Sequence, residues 1–157
     1  CRHRRTDRRR RDHRFEAGPD RVRGRGGRGG PGGRWRIIPI IGGTVEGERL
    51  SGRILDLGAD WQNVYDAGYA ELDTRYVIET HDGAMIDIRN FGFRHGPPEV
   101  LARLAAGETV DPALYYMRTN PRFQTGDPRY AWLNHTMFIG TGERMANSVR
   151  IFIFEVL

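Results

Sequence analysis

The sequence predicts a mainly β protein, an antiparallel β-barrel with one short helix. Short apolar or alternating runs recur over residues 34–157, and turn residues such as Gly, Pro, Asn and Asp separate them roughly every 8–12 residues. A meander of about eight strands must close on itself or pack as two sheets to remove its open edges. A barrel of about eight strands has an interior that side chains fill or that holds one small ligand.

Charge divides the chain into two parts. Residues 1–36 hold 14 Arg and four acids, a net of +10, whereas residues 37–157 hold 11 Arg and 16 acids, a net of −5. Residues 1–33, with the runs RHRRTDRRRRDHR and GRGGRGGPGG, lack the apolar pattern needed to fold and predict a disordered Arg/Gly-rich extension. Nucleic acid is a disfavoured partner, because aromatic residues do not alternate with these Arg residues. The β-barrel domain is therefore expected over residues 34–157.

The compartment is predicted from what the composition lacks. Cys1 is the single cysteine, so an intrachain disulfide is excluded. The sequence has no apolar run near the roughly 20 residues of a membrane helix and no hydrophobic segment after the charged N-terminus. We expect a cytoplasmic protein without a membrane partner, and a homodimer is left open.

The first half of the domain predicts strands joined by tight turns. Trp35–Gly43 is a short apolar strand, and Pro39 within it indicates an edge or a bulge. The strongest hairpin signal is Asp82-Gly83, which joins the alternating strands Ala70–Thr80 and Ala84–Phe91. The other segments expected here are a turn and strand over Thr44–Leu57, a tight connection over Gly58–Gln62, and a short strand and turn over Val64–Gly68.

The second half holds the predicted helix and the segment around which the barrel is expected to be organised. Pro97–Ala106 predicts a helix, with prolines in its first turn, Glu99 near its N-terminus and Gly107 as its cap. Tyr130–Gly142 alternates with period two and predicts a strand. The other segments expected here are a strand over Ala113–Thr119, a loop over Asn120–Arg129, a turn over Thr141–Asn147 and a strand over Ser148–Leu157.

One face of the Tyr130–Gly142 segment combines aromatic and polar side chains, including Tyr130, Trp132 and Asn134. A small-molecule pocket needs flat apolar area and a few fixed hydrogen-bonding groups, so this face predicts ligand-binding residues. The alternative is a sheet core in which Tyr130 and Trp132 find local hydrogen-bond partners.

Asp60, Tyr76 and Arg118 are the candidate catalytic residues. Asp60 is expected at the barrel mouth as an acid/base, with Trp61 as a stacking wall; the alternative is an Asx turn with a packed Trp. Tyr76 is either a core residue or a hydroxyl donor to the pocket. Arg118 follows Tyr116 on an apolar strand, where a buried guanidinium needs a carboxylate from the protein or from a ligand.

Other chemistry finds no support in the sequence. The five His residues have no metal-ligand spacing, so a metal site is not expected. A Gly-rich loop between a strand and a helix is missing, as is a Ser or Cys nucleophile elbow. We therefore expect no cofactor, which leaves proton-transfer chemistry in an apolar pocket or ligand binding alone.

The chain from about Arg36 to Leu157 resembles the bacterial and fungal family called domain of unknown function 3237, or uncharacterised protein family 0311. The resemblance is carried by segments in one order along the chain: RIIPIIGG, GADWQ, AELDTRYVIETHDGAMIDIRN, HGPPEVLARLAAGE, YYMRTNPRFQTGDPRYAWLN and FIGTGER. It implies a calycin-like or allene-oxide-cyclase-like antiparallel barrel, and it implies a fold more strongly than a reaction.

The chain departs from the family pattern in two places. Family members begin with a strand before the RIIP segment, and Phe15–Val22 is a weak match to a strand. Family members also carry Glu where this chain has Gln124, a residue that could contact a ligand but cannot act as a general base. Two functions stay open: a cofactor-free isomerase, cyclase or lyase, and a non-catalytic lipocalin-like binding protein, for which Gln124 is an argument.

Overall fold

The computed structural model describes residues 10–17, 28–29 and 33–157. Within these ranges the chain forms a mainly β structure with one α-helix, α1 (Pro98–Ala105), and 3₁₀ helices at Pro112–Leu114 and Pro128–His135. Its strands are β1 (Arg10–Ala17), β2 (Arg28–Gly29), β3 (Gly33–Glu46), β4 (Gly52–Ile54), β5 (Gly58–Tyr65), β6 (Tyr69–Thr80), β7 (Met85–His95), β8 (Tyr116–Gln124), β9 (Phe138–Arg144) and β10 (Ser148–Glu155).

The strands form a barrel-like antiparallel sheet. Hydrogen-bonded neighbours run in the order β1, β10, β9, β8, β7, β6, β5 and β3, and β1 also pairs with β3. The short strand β4 pairs with β3 and β6 beyond the end of β5. The long strand β3 changes partners near Gly42 and Gly43, whose φ angles of 152° and 150° favour glycine. Strand β1 therefore connects the two ends of the sheet.

Strand β1 corrects the expectation that residues 1–33 are disordered throughout. Residues 10–16 pair with β10, and residues 12–17 pair with β3. Backbone hydrogen bonds to two neighbours can hold a strand that has no apolar alternation of its own, which is why the sequence pattern did not predict it. The rest of the predicted extension, apart from β2 and from Gly33 at the start of β3, lies outside the described residues.

The strongest sequence signals are confirmed. Helix α1 occupies the predicted segment with Pro98 in its first turn, and its Val100 and Leu104 are buried. Strands β6 and β7 form the predicted hairpin, with Gly83 at a φ of 84° in the turn. The closing strand β10 begins at Ser148 as predicted.

Two segments predicted to be irregular are strands. Gly58–Gln62, expected as a tight connection, lies within β5, which pairs with β3 on one side and β6 on the other. Gly58 resembles a turn residue but is needed for close approach, because a Cβ there would overlap the backbone oxygen of Arg75. Part of the loop expected after Thr119 is likewise strand, because β8 continues through Pro121 to Gln124.

The segment expected to organise the barrel is a strand only in its second part. Residues 128–135 form a 3₁₀ helix, and β9 begins at Phe138. The Asp127 carboxylate accepts a hydrogen bond of 2.9 Å from the backbone N–H of Arg129, and Pro128 occupies the first turn. An Asp cap followed by Pro is a helix-start signal, and it overrides the period-two pattern that follows.

The apolar core fills the end of the barrel next to the 128–135 helix. Leu133 of that helix is buried with Phe123 and Phe138, whose rings meet edge to face at 4.9 Å between centroids. Ile78 and Ile86, at the hairpin end of β6 and β7, belong to the same cluster. Toward the other end of β7, inward positions become polar, and the interior opens into a cavity.

Candidate functional site

The cavity lies inside the sheet, at the end opposite to the 128–135 helix, and has a volume of about 450 Å³. Its mouth is formed by the C-terminal end of α1 (Ala105–Gly107) and by the turn between β9 and β10, residues 144–148. Its walls combine apolar residues with an interior polar cluster, by which we mean Asp60, Gln62, Thr74, Asn90, Arg94 and Thr119.

Strand register sets the positions within this cluster. Asp60 of β5 is paired with Thr74 of β6, and Thr74 is paired with Asn90 of β7, so these three residues form one row across the sheet. Arg94 lies four residues after Asn90 on the same strand, about 13 Å along it, toward the mouth. Between them, Gly92 faces Thr119 of β8. The row at Asp60 therefore lies deeper in the barrel than Arg94.

Asp60 is 9% exposed and is held by two hydrogen bonds. Its Oδ1 accepts a hydrogen bond of 3.0 Å from the Thr74 hydroxyl, and its Oδ2 accepts one from Nε2 of Gln62. The Gln62 amide is itself oriented, because its Oε1 accepts from Nε of Arg36 at 3.1 Å. These contacts fix the orientation of the carboxylate at the cavity wall.

The two ionisable groups of the cluster have shifted pKa values. Burial raises the pKa of Asp60 above its ordinary value, although the hydrogen bonds from Gln62 and Thr74 and the charges of Arg94 and Arg36 oppose the shift. Burial also lowers the pKa of Arg94 to about 10, with Arg144 and Arg36 acting in the same direction. Arg94 therefore remains a cation at neutral pH. The pKa of the Asp60 carboxyl is moved toward neutral pH, which favours a role in accepting and releasing a proton.

Arg94 and Arg144 bring positive charge to the mouth of the cavity. Neither guanidinium has a hydrogen bond or ion pair with any residue in the described part of the chain. Glu143, the acid next to Arg144 in the sequence, pairs instead with Arg150 at 2.9 Å. A partly buried guanidinium is costly without a carboxylate or similar partner, so the mouth suits an anion.

Two further polar atoms of the cluster are left without a hydrogen bond. Within the described residues, Oδ1 of Asn90 and Oγ1 of Thr119 have no protein partner, although these residues are only 2% and 7% exposed. Buried polar atoms are normally satisfied, and those that are not mark a functional role or an unseen partner. Both residues line the cavity, so a bound molecule can supply the missing contacts.

Of the sequence-predicted catalytic residues, the structure brings only Asp60 to the cavity. Tyr76 lies on the inward face of β6 in the apolar core, and burial raises the pKa of its hydroxyl well above the usual value. Arg118 lies on the outer face of β8, where its Nη1 donates to its neighbour's carbonyl and its guanidinium lies 5.2 Å from the centre of the Tyr116 ring. The structure therefore does not bring these three side chains together around one cavity.

The predicted binding residues on strands also face outward. Tyr116 is exposed and stacks on His95, with 4.6 Å between the ring centroids. Trp61 is in β5 rather than in a turn, and with Gln124 it lines a groove on the outer surface. Residues alternate between the two faces of a strand, so Trp61 faces away from the cavity that Asp60 lines.

The predicted binding residues of the 130–134 segment are held in local contacts at the far end of the barrel. The Tyr130 hydroxyl donates to Asp82 at 2.9 Å, and Arg49 lies 3.6 Å from the centre of the Trp132 ring. Asn134 forms reciprocal hydrogen bonds of 2.9 Å with the backbone of Thr125. The side chains therefore find local partners, as in the alternative weighed from the sequence, but in a 3₁₀ helix and not in a sheet core.

Most of the interior polar cluster was missed by sequence reasoning. A signal was present in β7, where the apolar series of Ile86 and Ile88 continues on the same face with Asn90, Gly92 and Arg94. Polar residues in register with an apolar face point into the interior, so this change of character marks the cavity. Thr74 follows the same rule, since it lies between Leu72 and Tyr76 on the inward face of β6.

Two further observations apply to the described residues. No group of three His, Cys, Asp or Glu side chains within them is arranged to hold a metal ion. Over the same ranges, none of the helices has the length and apolar character to cross a membrane.

These features define a barrel-like antiparallel β protein with a polar interior cavity. Residues 14–156 match the family model described as "Protein of unknown function (DUF3237)", and the chain belongs to this family. A curated UPF0311 protein from Rhodopseudomonas palustris strain TIE-1 is 49% identical over 122 residues, which cover 78% of this chain and 80% of the relative.

Solved structures are similar over almost the whole chain. A conserved protein of unknown function from R. palustris has a TM-score of 0.85 and 41% identity, covering 96% of this chain and 95% of its own. A protein described as β-barrel-like, from Acinetobacter baumannii AYE, has a TM-score of 0.77 and 42% identity, covering 92% and 91%. An enzyme from Penicillium herquei has a TM-score of 0.64 and covers 92% and 90%, but its 18% identity shows the fold alone.

Proposed function

We propose that this chain binds a small molecule in its interior cavity and carries out cofactor-free acid–base chemistry on it, with Asp60 as the group that accepts and returns a proton. The observation that carries the proposal is the Asp60 carboxylate, buried, oriented by Gln62 and Thr74, and lining a cavity of about 450 Å³. We also propose that the barrel is of the calycin-like or allene-oxide-cyclase-like type.

The geometry supports proton transfer at a carbon next to a carbonyl. A carboxylate whose pKa is raised by burial is a stronger base than one in water, and its two hydrogen bonds hold it in one orientation. The Arg94 cation can stabilise negative charge that develops on a carbonyl oxygen when the proton leaves. Isomerisation, cyclisation and elimination reactions share this step.

The fold is compatible with such a role, since the protein from P. herquei with a similar fold is described as an enzyme. The second candidate is a lipocalin-like protein that uses the same cavity without reaction. Gln124 favoured this alternative in the sequence, but it lies on the outer surface, so its identity does not bear on the cavity.

The test follows proton exchange in heavy water by NMR. The protein is incubated with phenylpyruvate, acetophenone and other enolisable ketones, and deuterium incorporation next to the carbonyl is compared with the buffer rate. We expect at least one ketone to exchange faster with the wild-type chain, and Asp60→Asn to reduce that enhancement by about 100-fold or more. Asp56→Asn, which changes an exposed acid just before β5, is the matched control and should exchange as the wild type does.

Two outcomes would overturn the proposal. Ketone exchange with Asp60→Asn as fast as with the wild type would remove Asp60 as the acid/base. Alternatively, ketones bound by the wild type could exchange only at the buffer rate, a result that would favour the lipocalin-like alternative.

A further inference from the structure

Two kinds of polar group line the cavity at different depths without a partner, and together they indicate the chemistry of the ligand. At the mouth lie the guanidinium groups of Arg94 and Arg144, without an acidic partner in the described residues. Deeper in lie Oδ1 of Asn90 and Oγ1 of Thr119, without a hydrogen-bond partner there. We propose that the substrate is an elongated molecule with an anionic group at one end, bound by Arg94 and Arg144, and a hydroxyl at the other, bound by Asn90 and Thr119.

The anionic end follows from the charge balance of the site. Asp60 is the acid of the interior polar cluster, and its two oxygens already accept hydrogen bonds from Gln62 and Thr74. Its single charge cannot neutralise both mouth arginines, and neither of them forms an ion pair with it. A ligand carboxylate would accept hydrogen bonds from the Arg94 guanidinium and offset the cost of its burial.

The hydroxyl end follows from the nature of the deeper atoms. Oδ1 of Asn90 is an acceptor only, so its partner must donate a hydrogen bond. The Thr119 hydroxyl can donate or accept, so one ligand hydroxyl can satisfy both atoms by donating to Asn90 and accepting from Thr119. A neutral hydroxyl suits this region better than a second anion, which the acceptor of Asn90 would repel.

The separation of the two ends sets the length of the ligand. Asn90 and Arg94 are four residues apart on β7, about 13 Å between their Cα atoms. Apolar residues line the cavity at both ends and between them: Ile38 lies in the row of Asn90, Leu72 is paired with Gly92, and Met117 is paired with Arg94. An aryl or alkyl spacer between the two polar ends fits this arrangement. This substrate class rests on the proposed function, because a ligand that reaches from Arg94 to the row of Asn90 also reaches Asp60, which lies in that row.

The experiment measures binding, by calorimetry at pH 7, of three matched probes: 4-hydroxyphenylpyruvate, phenylpyruvate and the methyl ester of 4-hydroxyphenylpyruvate. The first probe carries both polar ends, the second lacks the hydroxyl, and the third lacks the charge. The variants are Arg94→Gln, which removes the cation, Arg94→Lys, which keeps it, and Thr119→Val, which removes the hydroxyl with little change of shape. Arg122→Gln changes an exposed arginine on the outer face of β8 and is the matched control.

We expect Arg94→Gln to weaken binding of 4-hydroxyphenylpyruvate by about tenfold to a hundredfold, the loss of a charge-assisted hydrogen bond. Binding of the methyl ester should change little in the same variant, and Arg94→Lys should recover part of the affinity for the acid. Thr119→Val should weaken binding of 4-hydroxyphenylpyruvate by about fivefold and leave phenylpyruvate unaffected. Arg122→Gln should bind all three probes as the wild type does.

The substrate class is overturned if the ester binds as tightly as the acid, if Arg94→Gln leaves the affinity for the acid unchanged, or if none of the three probes binds. The same titrations with Asp60→Asn separate this failure from that of the proposed function, because binding does not require turnover. Binding that follows the expected pattern without Asp60-dependent exchange supports the substrate class and rejects the acid–base role.

Discussion

The buried Asp60 carboxylate reduces the stability of the fold, so stability alone does not explain why an Asp is at this position. Burying its charge costs free energy, which the hydrogen bonds from Gln62 and Thr74 offset only in part, as the upward shift of its pKa indicates. Residues that reduce stability while lining a cavity are typical of functional sites, where function and stability compete. At the residue scale, this is the main reason to treat Asp60 as part of a site.

The raised pKa of Asp60 gives a dependence of stability on pH. The carboxyl ionises near pH 3.9 in the unfolded chain and at higher pH in the folded protein, so between these values the folded state holds more protons. Stability therefore falls as pH rises through this window, and the loss is constant above it. We predict that Asp60→Asn has a larger free energy of unfolding than the wild type at neutral pH, and that the difference disappears below about pH 4.

Urea unfolding of both proteins across this pH range measures the effect. The Asn side chain preserves the local contacts, since its oxygen can face Gln62 and its amide can donate to the Thr74 hydroxyl. A variant less stable than the wild type at neutral pH would show that the Asp60 charge stabilises the fold, contrary to this account.

At the scale of single elements, the 128–135 helix closes the apolar end of the barrel. Its anchors are side-chain contacts to neighbouring turns: Tyr130 to Asp82 in the β6–β7 turn, and Asn134 to the backbone of Thr125 after β8. Leu133 packs into the core between these anchors. The aromatic and polar face that suggested a ligand pocket in the sequence is the set of side chains that holds this helix in place.

Removing one anchor should therefore affect stability and spare the cavity. We predict that Asn134→Ala lowers the free energy of unfolding by about 1 kcal/mol, through loss of its hydrogen bonds with Thr125, and leaves probe affinity unchanged. His135→Ala, at the next and exposed position, should change stability by less than about 0.5 kcal/mol. If Asn134→Ala lost probe binding while keeping wild-type stability, Asn134 would be part of the binding site, contrary to this prediction.

The turn contact to the same helix predicts a second pH effect. Hydrogen bonds from Thr80 and Tyr130 and the charge of Arg129 hold the pKa of Asp82 below its ordinary value. Its contribution to stability is therefore present above the unfolded pKa and is lost as pH falls through the folded one. We predict that Asp82→Asn is less stable than the wild type at pH 7 and equal to it in strong acid, as thermal unfolding at both pH values can measure. If Asp82→Asn were still less stable than the wild type in strong acid, its lower stability would come from changed packing and not from the loss of the Asp82 charge.

Elements with local signals were predictable, and those defined by distant partners were not. The β6–β7 hairpin and helix α1 follow from Asp82-Gly83 and from the prolines and glycine around the helix. Strand β5 was missed because Gly58 suggests a turn in the sequence, whereas in the fold it permits close approach to β6. The extended conformation of β5 is set by its pairing with β3 on one side and β6 on the other, and the local sequence pattern does not indicate that pairing.

At the scale of the whole molecule, the described pairing is completed by β1 between β10 and β3. Without β1, β10 and β3 would each expose a row of unpaired backbone groups, a template for association with other chains. The Arg-rich N-terminal region therefore includes a segment that belongs to the sheet, even though its composition predicts an extension outside the fold.

Truncation tests this role of β1. We predict that deleting residues 1–17 lowers the unfolding midpoint by at least about 5 °C and promotes association seen by size-exclusion chromatography. Deleting residues 1–9, which leaves β1 intact, is the control and should have a smaller effect. Equal unfolding midpoints and equal association in the two truncated proteins would contradict the pairing of β1 with both neighbours.

The sequence predicted a cavity inside a barrel, but of the predicted site residues only Asp60 lines the cavity that the structure describes. Asp60 was identified because it lies beside Trp61 in a segment expected at the barrel mouth, but the choice between the two faces of each strand depends on register. Arg118 and Arg94 both follow apolar residues in β-prone segments, and only the fold shows that Arg94 lines the cavity while Arg118 faces outward. A shift of one residue exchanges the two faces, so local pattern alone could not choose between them.

We propose that this protein binds its ligand at the interior polar cluster rather than on its outer surface. A crystal structure of the chain with bound 4-hydroxyphenylpyruvate tests it most directly. We expect the ligand inside the barrel, with its carboxylate within hydrogen-bonding distance of the Arg94 guanidinium and its hydroxyl at Asn90 and Thr119. A ligand held in the outer groove beside Trp61 and Gln124, or against Arg118, would contradict it.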